Sequence, residues 1–502
     1  MIINNIEKLA KIIKKNQLLG KKIGLCHGVY DVLHSGHILH FEEAKKNCDI
    51  LIVSITSDKF VNKGPNRPFL KQDLRIKILS SLKYIDYLYC NNDADPINII
   101  IKTRPDLYIK GQDYINAKED LTGNIKKEVE AIKKVGGQYF TTKTIMFSSS
   151  KIISEQFNNI GDGFLKIKNK INKNNLKKEL NSLISKKIDK KILIIGEPII
   201  DEYTKVGILG KSAKNNIIAT SFLKKNSYGG GSILVANLLS NFFKEIDLIT
   251  FNKKNNNKIY NKFLNKNINK IYINCDNSII VKNRFLDNYT NERLFQINKN
   301  NNFDIKKKFN KIFILQIKKI IKKYDKIIIL DYGHDLFNKQ LVELINKSFK
   351  KTIINCQSNS SNFGFNLIKK YKSGYIVTMD EIEFRLSVND KNALIDDLLK
   401  KNNLLTNKFK KFVVTRGKNG SHIIEKNKIT YFPSLVKNPI DTTGSGDIFF
   451  GMLIVTEYLS KLNNIDKSLI AHAAAGLHSL KLGNDCVVNS ESLLKTINHL
   501  VP

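Results

Sequence analysis

The chain has no tryptophan, only six cysteines and far fewer acidic than basic residues. Cys26, Cys48, Cys90, Cys275, Cys356 and Cys486 lie well apart, with no C-x-x-C pair among them. That spacing argues against a zinc or redox motif, and reduced thiols in the cytosol are expected. No stretch approaches the roughly 18 uncharged apolar residues of a membrane-spanning helix. The first residues mix Glu7, Lys8 and Lys11 with apolar ones and form no continuous apolar core. Neither an export signal nor a membrane span is therefore expected, and the protein reads as cytoplasmic.

The shortage of acids leaves 83 Lys+Arg against 46 Asp+Glu, a formal charge of +37. An excess of that size points first to polyanionic partners. Here, however, the charge is nearly all lysine, spread along the whole chain and accompanied by abundant Asn and Ile. That reads as compositional bias, and neither a nucleic-acid nor a membrane partner is expected. A length of 502 residues suits about three domains of roughly 150 residues, or two if one is a large α/β unit.

Apolar β-branched runs at 22–26, 50–55 and 107–109 alternate with helical patterns, which is the signature of a parallel sheet with crossover helices. Beyond residue 157 the chain turns Lys/Asn-rich, while Leu176, Leu180, Leu183 and Ile184 keep helical spacing. A linker and lead-in helix are expected over 158–190. A second α/β series opens at 191–196, includes 327–330 and 412–415, and runs on to 502. Residues 251–310 are rich in Asn and Lys but keep recurrent apolar positions, so ordered structure with long surface loops is expected there.

Two segments carry chemistry. Residues 27–37 read His-Gly-Val-Tyr-Asp-Val-Leu-His-Ser-Gly-His. A strand turning through Gly28 into a helix would set backbone N–H groups, His34 and His37 at a helix N-terminus, where a triphosphate is stabilised. Imidazoles there would offset charge building on phosphorus and on departing pyrophosphate. A short H-x-G-H is equally met as a zinc or core pair. Residues 441–447 read Asp-Thr-Thr-Gly-Ser-Gly-Asp. Gly444 and Gly446 free backbone N–H groups to form an anion hole, and Asp447 can accept the proton of an attacking hydroxyl.

The first segment resembles the signature of cytidylyltransferase-like nucleotidyltransferases, Gly28-x-Tyr30-Asp31-x-x-His34-x-Gly-His37. Lys63-Gly-Pro-Asn-Arg-Pro68 with Arg75, Arg104 to Tyr114 including Lys110, and Ser148-Ser149-Ser150 resemble further family segments in the expected order. The resemblance implies that His34 and His37 stabilise the transition state. It likewise implies that Gly28, Tyr30, Asp31, Lys63, Arg75, Lys110 and the three serines hold nucleotide and phosphates.

The second segment is similar to the motif of ribokinase-like sugar kinases, with Ser445 in place of the usual alanine. Supporting matches run from Ile195 to Asp201, from Tyr228 to Ser232, at Lys282-x-Arg284, at Asp331 to His334 and from Thr415 to Gly420. They imply a base at Asp447 and a nucleotide site using Thr415, Gly417, Gly420, Thr443, Gly444, Ser445 and Gly446. Asp201, Gly229, Gly230, Gly231 and Arg284 would hold a sugar. His472-Ala-Ala-Ala-Gly476 lies where the family's helix approaches adenine, although such a stretch is more often plain helix packing.

Three departures bear on the sugar. Ile233 stands where an asparagine is usual, Asn355-Cys-Gln357 replaces Asp-Pro-Lys, and Asp380-Glu-Ile-Glu383 replaces Asn-x-x-Glu. The last keeps Glu383 as a candidate Mg²⁺ ligand.

The expected fold is α/β, with an N-terminal Rossmann-like nucleotidyltransferase domain (1–157) and a C-terminal ribokinase-like domain (191–502). This pairing resembles the bifunctional enzymes that build ADP-heptose for lipopolysaccharide, with the domain order reversed. The resemblance implies ATP and Mg²⁺, sugar phosphates as substrates and a homo-oligomer. CTP at the first site stays open, as does an alditol or sugar-phosphate cytidylyltransferase fused to a non-catalytic kinase-like domain. A synthetase acting on nucleic acid is the remote third reading.

Overall fold

The computed structural model describes residues 1–61, 68–111, 124–142, 162–212, 214–253, 258–275, 280–299, 311–348, 351–360, 362–436, 438–484 and 488–501. The chain divides into two compact units, Met1–Asn159 with Lys495–Pro502, and Ile160–Leu494. Among the described residues no helix is long and apolar enough to cross a membrane.

The first unit is built on six strands: β1 (Ile2–Ile3), β2 (Ile23–Gly28), β3 (Ile50–Thr56), β4 (Tyr87–Asn91), β5 (Leu107–Lys110) and β6 (Gln138–Thr141). All pairings are parallel, in the order β1-β4-β3-β2-β5-β6. Helices cover such a sheet on both faces, so its inner strands are apolar throughout rather than alternating. Every residue of β3 is buried. Strand β2 connects onward to β3 on one side, while its other neighbour, β5, connects onward to β6 on the far side, so the connections from these two strands leave in opposite directions. The crevice that opens at such a reversal, beyond the carboxyl ends of the strands, is where α/β sheets bind ligands.

The second unit carries two sheets. The larger comprises β7 (Ile188–Gly196), β10 (Phe243–Lys253), β11 (Ile268–Cys275), β14 (Lys326–Asp331), β15 (Thr352–Cys356), β16 (Gly374–Asp380), β17 (Phe409–Thr415), β18 (Ser421–Glu425) and β19 (Lys428–Phe432). Its order is β11-β10-β7-β14-β15-β16-β17-β18-β19. The strands are parallel as far as β17, and β18 and β19 return antiparallel. Strands β7 and β14 contribute an unbroken buried centre in Ile192 to Ile195 and Ile327 to Leu330. The smaller sheet, β13-β12-β8-β9, is formed by β8 (Pro198–Lys211), β9 (Ile218–Gly231), β12 (Ile280–Asp287) and β13 (Arg293–Lys299).

The α/β architecture and all six strand segments expected from the sequence are found. The lead-in helix spans Lys173–Ser185 and buries Leu176, Leu180 and Leu183. The stretch at 251–310 is ordered where it is described, supplying the end of β10, all of β11, β12 and β13.

Candidate active sites

In the first unit β2 runs to Gly28, and the helix Ser35–Lys46 begins with His34 as its N-cap. The His34 and His37 rings stack with centroids 3.8 Å apart. Tyr30, held at φ 47°, packs edge-on against His37 and also meets Phe41. A Cβ at Gly28 would press on the Tyr30 ring, so the glycine lets that ring fold back under the turn. The two histidines are thus displayed together at a helix N-terminus, half-buried, in the crevice at the sheet's reversal.

Several neighbours named from the sequence make contacts inside the protein. Arg75 is 1% exposed, and its guanidinium donates to the carbonyls of Leu70, Val29 and Thr56 and to Asp58 Oδ1. It is a clamp inside the protein, with four donor contacts already made to protein oxygens, rather than a phosphate contact. Asp31 is likewise buried, and its two oxygens accept from the Phe69 and Leu70 N–H groups, each at 2.8 Å. Lys110 is buried against Glu128, Nζ to Oε2 3.2 Å, where Tyr108 also donates. Its charge, after burial itself, helps hold His27 at a pKa of about 3 and His40 at about 4. Both are therefore neutral at ordinary pH. Lys63, Ser148, Ser149 and Ser150 lie outside the described residues.

In the second unit the helix Ser445–Thr456 starts from Gly444, which sits at φ 76°. Left-handed backbone there suits glycine, and a Cβ would also strike Leu234, Asn484 and His478. Asp447 lies in the first turn of that helix, buried. It borders a cavity of about 580 Å³ that Thr415, Gly417, Gly420, Gly444, Ser445, Gly446 and Glu383 also line, with His472 and Gly476 further along. The volume lies within the range of small-molecule sites. Three buried polar atoms on its wall, Asn355 Oδ1, Thr378 Oγ1 and Ser445 Oγ, have no partner among the described residues. Buried polar groups are normally satisfied, so this wall is built for a polar occupant. His472 stacks on Phe432 and bonds Ser421 Oγ at 2.9 Å. Burial lowers its pKa to about 3, leaving it a neutral ring.

On the other side of Asp447 stand the residues assigned to a sugar. Arg284 Nη1 meets Asp201 Oδ1 at 2.6 Å, and Asn484 Nδ2 donates to Asp201 Oδ2 and to the Gly229 carbonyl, each at 3.0 Å. Side chains at Gly229 and Gly230 would strike Ile233 and Asp201 respectively, and Gly231, at φ 56°, caps the next helix. Lys282, on the same strand as Arg284, lies within the fields of both Asp201 and Asp447.

Burial drives the Asp447 pKa up to about 6. Asp201 adds to the rise, while Tyr332, Lys282 and Gln357 oppose it. Glu383, raised by burial to about 7, accepts from the Ser358 and Asp380 N–H groups as part of a helix cap. Among the described residues no cluster of three or more His, Cys, Asp or Glu could hold a metal. Glu383, the candidate Mg²⁺ ligand, thus also serves as a helix cap on the cavity wall.

Some functional neighbours were not foreseen. Arg293, from β13, bonds Asp441 Oδ1 and Thr443 Oγ1 across 148 and 150 residues. Asp441 Oδ2 also accepts from Tyr203 Oη at 2.6 Å and Gly483 N at 3.0 Å. His478 Nε2 holds the Thr443 carbonyl at 2.9 Å. Neither Arg293 nor Asn484 sits in a motif, so no local signal announced them.

Comparison with known proteins agrees with this division. Residues 25–155 match the cytidylyltransferase-like family, and residues 189–483 match the pfkB family of carbohydrate kinases. The bifunctional protein HldE of Campylobacter concisus is 37% identical over 141 residues, 28% of this chain and 29% of its own length. That of Aliarcobacter butzleri is 37% identical over 145 residues, 28% of this chain and 30% of its own. The chain thus matches about three tenths of the length of these curated relatives. Phosphofructokinase-2 from Escherichia coli, solved in complex with substrates and products, superposes with a TM-score of 0.50 at 14% identity. It covers 62% of this chain and all of its own.

Proposed function

From the premise that the chain belongs to the pfkB family of carbohydrate kinases and joins to it a cytidylyltransferase-like segment, we propose that it makes an ADP-heptose-like nucleotide sugar in two steps. In the first, the C-terminal domain moves the γ-phosphoryl group of ATP to C1 of a heptose phosphate. In the second, the N-terminal domain joins the resulting sugar 1-phosphate to ATP and releases pyrophosphate. The observation that carries the kinase step is the cavity bordered by Asp447 with three unsatisfied polar atoms on its wall. A nucleotide there would bring its γ-phosphate to the Gly444–Gly446 turn, with Asp201 and Arg284 holding the sugar beyond Asp447. Asp447 would take the proton of the attacking hydroxyl. For the transfer step, His34 and His37 would face the α-phosphate and offset the charge that builds on it. The identity to HldE proteins over this segment supports the choice of heptose, and ATP rather than CTP is taken by analogy.

Magnesium is proposed to arrive on the nucleotide, where it neutralises phosphate charge and aligns the chain. The protein would act as a cytoplasmic homo-oligomer. Self-association is supported by the smaller sheet of the second unit, whose Leu209, Phe222, Ile218 and Phe295 are exposed.

The test is pyrophosphate release by the full chain with ATP or CTP and Mg²⁺ across a panel of sugar 1-phosphates, alongside ADP release with heptose 7-phosphate. Release with ATP and heptose 1-phosphate, lost in His34→Ala, is expected. Activity confined to CTP or to a different sugar phosphate would overturn the pathway while leaving the two reaction types.

A further inference from the structure

Asp447 is held from one side only. Tyr332 Oη donates to its Oδ1 at 2.9 Å and Gln357 Nε2 to the same oxygen at 3.1 Å. Among the described residues no donor meets Oδ2. The two donors come from adjacent parallel strands. Tyr332 directly follows Asp331, the last residue of β14, and Gln357 directly follows Cys356, the last of β15; Asp331 and Cys356 are paired in register. The Gln357 N–H donates to the Asp331 carbonyl at 2.8 Å, carrying the pairing one residue further.

Tyr332 cannot readily turn away. Glu197, immediately after β7, accepts from the N–H groups of Tyr332, His334 and Leu336 at 2.8, 2.9 and 3.0 Å. Gly333, at φ 73°, lets the chain wrap around that carboxylate. On the outer side Asn359 Nδ2 and Asn362 Nδ2 each donate at 2.6 Å, to the Tyr332 and Gly333 carbonyls. A buried carboxylate far away in sequence therefore fixes the backbone from which the phenol reaches Asp447.

We propose that Tyr332 and Gln357 are positioning residues for phosphoryl transfer: they pin one oxygen of Asp447 and turn the other toward the sugar hydroxyl. This rests on the kinase reading above. In the step, the hydroxyl oxygen bonds to the γ-phosphorus while the bond from that phosphorus to the β–γ bridging oxygen breaks and ADP leaves with its electron pair. The hydroxyl proton passes to Asp447 Oδ2. The donors also keep a buried carboxylate ionisable. The other charges facing it are Asp201 from β8, Lys282 from β12 and Glu383 from the helix after β16.

The test compares the full chain with Tyr332→Phe and Gln357→Leu. ADP release with ATP, Mg²⁺ and heptose 7-phosphate is followed against pH. The acid limb, centred at about 6 in the wild type, should move up by about one pH unit in each variant. At pH near 6 kcat should fall about fivefold with KM nearly unchanged. Infrared titration of ¹³C-aspartate-labelled protein, with the Asp447 band assigned by its loss in Asp447→Asn, reads the same shift without any turnover. If heptose 7-phosphate is not phosphorylated, the substrate assignment fails while the infrared arm still decides the positioning. An Asp447 band titrating at the wild-type pH in both folded variants overturns the proposal.

Discussion

The two turns that carry the chemistry are supported in opposite ways. At 27–37 the partners are nearer in sequence: His34 stacks on His37, Tyr30 packs against His37, Asp31 accepts from Phe69 and Leu70, and Arg75 donates to the Val29 carbonyl. At 441–447 almost every partner is remote. Asp441 is bonded by Tyr203 and Arg293, 238 and 148 residues away, and Asp447 by Tyr332 and Gln357, 115 and 90 residues away. The difference follows from the groups involved. Half-exposed imidazoles keep contact with water and are not forced to find distant donors. A buried carboxylate is driven toward its neutral form by desolvation, and donors must be brought from elsewhere to keep it usable as a base.

Splitting the activities breaks the comparison most directly. Asp447→Asn is expected to lower ADP release by about 10²–10⁴-fold and leave pyrophosphate release intact. His34→Ala should do the reverse, by about 10²–10³-fold. Loss of both activities in either variant would mean that the turns do not act as separate sites.

The clamp at Arg75 sharpens the contrast from the other side. Arg75→Ala leaves three carbonyls and Asp58 without their partner, which should cost about 3–5 kcal/mol. A thermal melt checks this: a variant of wild-type stability with a raised nucleotide KM would restore Arg75 as a phosphate contact.

The smallest effect is expected at Arg293, whose side chain is 45% exposed. Pairs that open to water contribute little. Arg293→Ala should lower kinase kcat about three- to tenfold, with partial recovery in Arg293→Lys, and steady-state kinetics at two salt concentrations would show whether the brace is electrostatic. An unchanged rate would leave the Asp441–Thr443 turn held by Tyr203, Gly483 and His478 alone.

Much of this was legible beforehand where chemistry and chain order coincide. The apolar runs of β3, β7 and β14 state their own burial, because a parallel sheet covered on both faces admits few polar residues. Gly444 and Asp447 announced themselves because a left-handed glycine, a helix start and a carboxylate fall within four residues. Arg75 misled for the converse reason. A charged residue near a phosphate motif looks the same in sequence whether it faces ligand or core, and only the partners show which.

What the sequence by itself determined is the succession of two α/β units and the two turns that open their helices, since both depend on contacts between near neighbours. What tertiary structure alone decided is how the base is held and which cations are already paired. Tyr332, Gln357 and Glu197 come together because β7, β14 and β15 lie side by side and end at one edge. Sequence spacing carries no record of strand adjacency, and hydrogen bonds depend on distance in space.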